Sequence, residues 1–235
     1  MTKKEILAFA ETELHRELFP LELLKILAEK FPQKVCFSTS LGIEDQLITH
    51  FIFKNEIPID IFTLQTGRLF EETEQLLEQT QHKYNQKITV FEPNQTKVEE
   101  LENEKGKFSF YESVENRKEC CFIRKVEPLN RALENYTIWV TGIRAEHSEN
   151  RQNMPLFEWD EAHKMLKVHP LLHWNFEDVE KRINIYQIPY NPLHDKGFVS
   201  IGCKPCTRAI KEGEDFRAGR WWWENSSKKE CGLHQ

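Results

Sequence analysis

The feature that most limits how this chain can fold is a repeated alternation of short apolar strands with amphipathic helices. Residues 17–31, ending "LFPLELLKILAEKF", carry apolar side chains at helical spacing, and Pro32 stops that helix before "KVCFSTS", a run of β-branched and aromatic residues. The pattern continues as helix "IEDQLITHFIFK", strand "IDIFTL", helix "LFEETEQLLEQTQHKY", strand "KITVFEP", a helix around "RKECCFIRKVEPLNRALE", and strand "TIWVTGI". Successive units of this kind predict an α/β fold, a twisted and mostly parallel sheet with helices on both faces. After about residue 145 the pattern loosens: "HSENRQNMPLFEWD" reads as loop, "KMLKVHPLL" as a strand, "NFEDVEKRINIYQ" as a helix and "IPYNPLHDKG" as a turn-rich connector. The closing "RAGRWWWENSSKKECGLHQ" is polar apart from its tryptophans and reads as a partly mobile tail. A chain of 235 residues has room for one large domain, here 1–216, followed by that tail, 217–235.

Several function classes drop out on composition. No apolar run approaches the roughly 18 residues of a membrane span, and the acidic residues inside "MTKKEILAFAETELHREL" argue against a signal peptide, so a cytoplasmic protein is expected. A net charge of -6 argues against a nucleic-acid binder that relies on neutralising phosphates. Six cysteines in a reducing compartment point to metal binding or chemistry rather than to a disulfide framework.

In open α/β sheets ligands bind beyond the carboxyl ends of the strands. There the first strand runs into Ser38, Thr39, Ser40 and Gly42 ahead of a helix, either a capped turn or a nest of backbone N–H groups suited to phosphate or sulfate. The second runs into Thr66 and Gly67, and "TIWVTGI" into Gly142, Arg144 and Arg151. Together these strand ends favour an anionic nucleotide over any single turn's bland explanation.

Cys120 and Cys121 are adjacent in "RKECCFIRK", and Cys203 and Cys206 form a C-x-x-C in "GCKPCTR". Two such pairs can converge on tetrahedral zinc or on an iron-sulfur cluster, and the adjacent pair, tighter than the usual zinc spacing, tilts the choice toward a cluster. The bland alternative is that Cys120 and Cys121 are buried apolar residues of a helix. That alternative holds for Cys36, inside a strand between Val35 and Phe37. Cys231 stands alone near the terminus, where packing is a poor explanation for a thiol.

Read together, "ECCFIRKVEPL", "GCKPCTR", "GRWWWE" and the terminal "KECGLH", with "STSLGIED" and "LQTGRLFEET", resemble the assimilatory sulfonucleotide reductases over roughly residues 30–235. The likeness is to the iron-sulfur branch that reduces adenosine 5'-phosphosulfate. It implies an adenine nucleotide α-hydrolase-like fold, related to the PP-loop enzymes. It implies that Ser38, Ser40, Leu64, Thr66 and Gly142 contact the nucleotide, and that Lys125, Arg144, Arg217, Arg220 and His234 surround its phosphosulfate. It further implies that Cys120, Cys121, Cys203 and Cys206 hold a 4Fe-4S cluster and that Cys231 is the nucleophile. Gln65 departs from the Asp of many relatives and leaves the polar contact at that strand end open.

These roles make chemical sense. A thiolate attacks sulfur and is later removed as a disulfide, and nearby cations (Lys228, Lys229, His234, the arginines of "RAGR") favour the thiolate while screening an anionic substrate. No second cysteine lies near Cys231, so the reducing electrons are expected from thioredoxin or a glutaredoxin-like partner. The three tryptophans 221–223 are read as anchoring the start of the tail rather than stacking on adenine. The rivals are the same reaction on the 3'-phosphorylated nucleotide, an ATP-using sulfurtransferase, whose Ser-Gly-Gly-x-Asp-Ser loop is absent, and a zinc-stabilised binding module. A homo-oligomer is compatible with the sequence.

Overall fold

The structure, a computed structural model, describes residues 1–147 and 151–224. Its elements run α1 (Lys3–Glu13), α2 (Pro20–Lys30), β1 (Val35–Thr39), α3 (Ile43–Lys54), β2 (Asp60–Leu64), α4 (Glu71–Tyr84), β3 (Thr89–Phe91), α5 (Gln95–Lys105), α6 (Val114–Cys121), α7 (Glu127–Leu133), β4 (Ile138–Val140), β5 (Phe157–Asp160), β6 (Met165–Val168) and α8 (Phe176–Ile185). The strands form one six-stranded sheet in the order β3-β2-β1-β4-β6-β5. β1 is parallel to both β2 and β4, and β4 is parallel to β6, whereas β5 pairs antiparallel with β6 at the edge.

The expected α/β architecture is therefore present, with one correction. "FEWD", read as loop, is strand β5, in register Phe157↔Val168 through Asp160↔Met165. An edge strand needs neighbours on one side only, so its sequence stays polar and the strand signal is weak.

The chain divides into two units that interleave in sequence. The first comprises Met1–Thr63, Thr73–Thr89 and Leu133–Asn191; the second comprises Leu64–Glu72, Val90–Ala132 and the segment from Pro192. The first unit holds the main core, where Phe37, Val140, Leu166 and Val168 from the sheet meet Leu24, Leu27, Leu47 and Ile48 from α2 and α3. Its helices start where local chemistry allows. Thr2 and Glu5 form a reciprocal capping box on α1, and Pro20 opens α2 at a position where a missing N–H costs nothing.

The second unit has a smaller core of Leu101, Phe110, Trp221 and three cysteines. Arg220 and Trp221, beyond the 216/217 boundary suggested by composition, are both buried within it. The helix expected around "RKECCFIRKVEPLNRALE" is interrupted: α6 ends at Cys121, a π turn occupies Phe122–Val126, and α7 resumes at Glu127. Among the described residues no helix is long and apolar enough to cross a membrane.

Candidate active site

In the second unit, α6 delivers the adjacent cysteines. Ser113 caps this helix through the Asn116 N–H, and the π turn that follows carries Arg124 and Lys125. The C-x-x-C segment is held in place by four contacts. Lys204 N–H donates to Arg68 O (2.8 Å), Tyr111 hydroxyl to Pro205 O (2.6 Å), Thr207 hydroxyl to Cys203 O (3.0 Å) and Trp221 N–H to Cys206 O (3.1 Å). Cys120, Cys203 and Cys206 thereby gather in one buried cluster, with Cys121 half-buried beside them in the chain. No disulfide joins the described cysteines.

Burial pushes the Cys206 thiol up to about 12, reinforced by Cys203 and Cys120 and opposed by Lys125 and Arg220. It raises Cys120 too, opposed there by Arg68 and Arg124. Four cations therefore bear on these thiols. Three of their guanidinium groups leave a buried N–H without a protein partner: Arg68 NH1, Arg124 Nε and Arg220 Nε. Buried donors are rarely left so. Sulfur acceptors of a cluster held by these cysteines would satisfy them, so the residues present fit such a group. Among the described residues no set of three or more His, Cys, Asp and Glu is placed for a single metal ion.

Around this cluster Glu102 receives both Arg68 (2.9 Å) and Arg124 (2.5 Å), and Arg124 also donates to Thr66 O (2.8 Å). Thr66, expected against a nucleotide, is buried with its hydroxyl 3.3 Å from Cys203 Sγ and accepting the Arg68 N–H at 3.2 Å. Its hydroxyl serves the cysteine and the turn. Gln65, the departure from pattern, accepts the Gly67 N–H (2.9 Å) where Gly67 turns through φ 70°. Leu64, half-buried, ends β2. Arg220 lies over the Trp221 ring and donates to Ser200 Oγ and Ile201 O, both at 3.3 Å, and Arg217 reaches the same ring at 6.0 Å. Of the three tryptophans read as anchors, Trp221 is 1% exposed and Trp223 half-buried, whereas Trp222 is 49% exposed.

In the first unit, the loop between β1 and α3 is filled from within. The carboxylate of buried Asp45 accepts the Ser40 N–H (2.6 Å) and hydroxyl (2.7 Å), and Ser38 Oγ accepts the Trp139 indole N–H (2.7 Å). Burial raises Asp45 to about 7 against these hydrogen bonds. A Cβ on Gly142 would collide with Asp45 Oδ1, so only glycine fits at that strand end. Arg144, expected against a phosphosulfate, is 1% exposed. Its guanidinium donates to Glu44 (2.9 Å), Glu146 and Trp174 O (3.3 Å), which braces the loop after β4. Cys231 and His234 lie outside the described residues.

Residues 34–209 match the phosphoadenosine phosphosulfate reductase domain, which is most of the chain. The chain belongs to that reductase family. Among relatives of this reductase, adenosine 5'-phosphosulfate reductase of Allochromatium vinosum is 46% identical over 220 residues, covering 94% of this chain and 86% of the relative. Among solved structures, phosphoadenylyl-sulfate reductase from Candida auris in a phosphate complex superposes with a TM-score of 0.74 at 28% identity, over 89% of this chain and 98% of that one. Candida glabrata FMN adenylyltransferase in complex with ATP shares the fold alone, with a TM-score of 0.52 at 18% identity over 83% and 65%. Asp45, Arg68 and Glu102 are the residues of this reductase that sequence reasoning passed over. Each looks like an ordinary helix or turn charge until tertiary structure buries Asp45 and pairs Arg68 with Glu102.

Proposed function

We propose that this reductase-family chain reduces adenosine 5'-phosphosulfate to sulfite and AMP in assimilatory sulfate reduction, feeding cysteine biosynthesis in the cytoplasm. The observation that carries the reading is the gathering of Cys120, Cys203 and Cys206 under Arg68, Arg124, Arg220 and Lys125 in a chain so similar to a named adenosine 5'-phosphosulfate reductase. Cys120, Cys121, Cys203 and Cys206 would hold a 4Fe-4S cluster. When bound, the cluster would supply a negative electrostatic centre that orders its surroundings, not the reducing electrons.

The chain's own residues do the rest. Ser38, Ser40, Leu64, Thr66 and Gly142 are the residues proposed for the nucleotide at the strand ends. Lys125, Arg144, Arg217, Arg220 and His234 are the cations proposed for its phosphosulfate. The Cys231 thiolate attacks the sulfonyl sulfur, the S–O bond to the phosphate breaks, and AMP departs, leaving an S-sulfocysteine. A thiolate of reduced thioredoxin then attacks Cys231 Sγ, expelling sulfite. The partner's second thiol resolves the mixed disulfide, so two electrons from the dithiol take sulfur from sulfate to sulfite level. The segment after Glu224 is the part of the tail proposed to carry Cys231 to both steps.

The test is intact-protein mass after one anaerobic exposure to adenosine 5'-phosphosulfate without reductant, beside Cys231→Ser. A gain of one SO₃ on the unsubstituted chain only, released as sulfite by thioredoxin, is expected; no adduct on cluster-loaded protein overturns the reading. A parallel sample with the 3'-phosphorylated nucleotide decides the second reading, favoured by the Candida auris likeness.

A further inference from the structure

The loop between β1 and α3 has the outline of an anion nest. Leu41 adopts φ 61°, which turns successive N–H groups toward one concavity at the start of a twelve-residue helix. Every N–H from Ser40 to Gly42 is nevertheless already taken. Those of Ser40 and Gly42 donate to the Asp45 carboxylate, and that of Leu41 donates to Thr39 Oγ1 at 3.0 Å. The Ser40 hydroxyl also goes to Asp45. The second carboxylate oxygen is walled in by Gly142 at the end of β4. Glu44, next in the chain, adds a further carboxylate, balanced by Arg144.

We infer that Asp45 is a specificity-determining residue: its carboxylate occupies the seat that a phosphate group would take in this loop, and so excludes polyphosphate nucleotides and inorganic pyrophosphate from it. The argument is one of occupancy. A phosphate gains from a nest only through unspent donors and a helix N-terminus not already neutralised, and here Asp45 takes the Ser40 N–H and hydroxyl, Thr39 takes the Leu41 N–H, and the Asp45 carboxyl sits in the first turn of the helix. Protonation of the carboxyl changes its charge but not its place. The inference rests on the sulfonucleotide reading, and explains how a chain with a fold also found in an ATP-bound protein discriminates by a single internal anion.

The test is calorimetric titration of inorganic pyrophosphate, and separately ATP, into the full chain, Asp45→Ser and Asp45→Asn, each checked by thermal melting. Unsubstituted protein is expected to bind neither measurably. Asp45→Ser, which frees the donors and the space, should gain pyrophosphate affinity by at least about tenfold, the scale of one hydrogen bond to a charged group. Asp45→Asn, which keeps the volume and one acceptor, should not. Measurable pyrophosphate binding to the unsubstituted chain overturns the inference even if no variant folds. So does folded Asp45→Ser without any gain. Adduct formation by adenosine 5'-phosphosulfate on the unsubstituted chain is scored separately, so failure of the reaction is distinguishable from failure of the gate.

Discussion

Arg117, three residues before the adjacent cysteines, grips Glu224, the last described residue before the terminal segment, through two parallel hydrogen bonds of 2.7 and 3.1 Å. Both side chains are nearly inaccessible, at 6% and 5%, and the guanidinium also stacks over Trp221 at 4.6 Å. The pair ties the start of the tail to the helix that presents Cys120 and Cys121. Breaking it from one side strands a buried charge, so Glu224→Gln or Arg117→Met should cost about 3–5 kcal/mol, and the double variant distinctly less than the sum. Urea unfolding of the three variants measures this. Additive losses would mean that the two residues act independently.

Arg144 separates bracing from substrate binding. With its guanidinium committed to Glu44, Glu146 and Trp174 O, Arg144→Met should lower stability by about 2–5 kcal/mol by leaving Glu44 uncompensated. Unfolding curves check it. An unchanged midpoint with weakened nucleotide binding would assign Arg144 to the substrate rather than to bracing.

Asp45 should give stability a pH dependence. Its pKa is raised from 3.8 to about 7 in the folded chain. Between these values the unfolded chain releases a proton that the folded chain keeps. Stability therefore falls as pH rises through that window, by up to about 1.4 kcal/mol per pH unit from this group, and its contribution levels off above the folded pKa. Denaturation midpoints at pH 5 and pH 8 should converge for Asp45→Asn relative to the unsubstituted chain. Parallel profiles for the two proteins would refute the assignment.

Gly142 meets Asp45 by contact alone, since its Cβ space is taken by Oδ1. Gly142→Ala should cost about 1–3 kcal/mol by overpacking, and much of that cost should vanish in an Asp45→Ala background. A thermodynamic cycle of the four proteins reads the coupling directly, and zero coupling contradicts the geometry.

The four-thiol reading predicts iron, not only activity. Serine at Cys120, Cys121, Cys203 or Cys206 should lower iron content in anaerobic preparations. Hydrogen exchange should quicken over 114–126 and 202–207 while the amides of β1 and β4 stay protected. Full iron in all four variants would dismiss the ligand set.

How much of this was legible in sequence depends on whether a signal is local. β1, α3, β4 and β6 announced themselves because their side chains are buried almost all round: α3 reproduces "IEDQLITHFIFK" residue for residue. α5 gave little because it buries only Val98 and Leu101. The C-x-x-C and the adjacent pair were visible as spacing, and the structure adds that three of the four thiols share one core. The π turn was not visible, because one residue too many in a helix leaves no compositional mark. Ser40 and Gly42 were read as a cradle since hydroxyls and glycine make one. That Asp45, five residues after Ser40, would fill it is a matter of side-chain direction, which spacing does not encode.

The interleaving of the two units sets a timetable for biogenesis. The sheet unit is complete in the chain at Asn191, whereas Cys203 and Cys206 belong to the segment that starts at Pro192. A ribosome adding about 5–20 residues per second delivers these thiols last. Any centre that needs all four cysteines must therefore be loaded after Cys206 has been made, into a chain whose sheet has had time to form. Until loading, Glu102 alone among the described contacts neutralises Arg68 and Arg124, and their remaining donors wait for it.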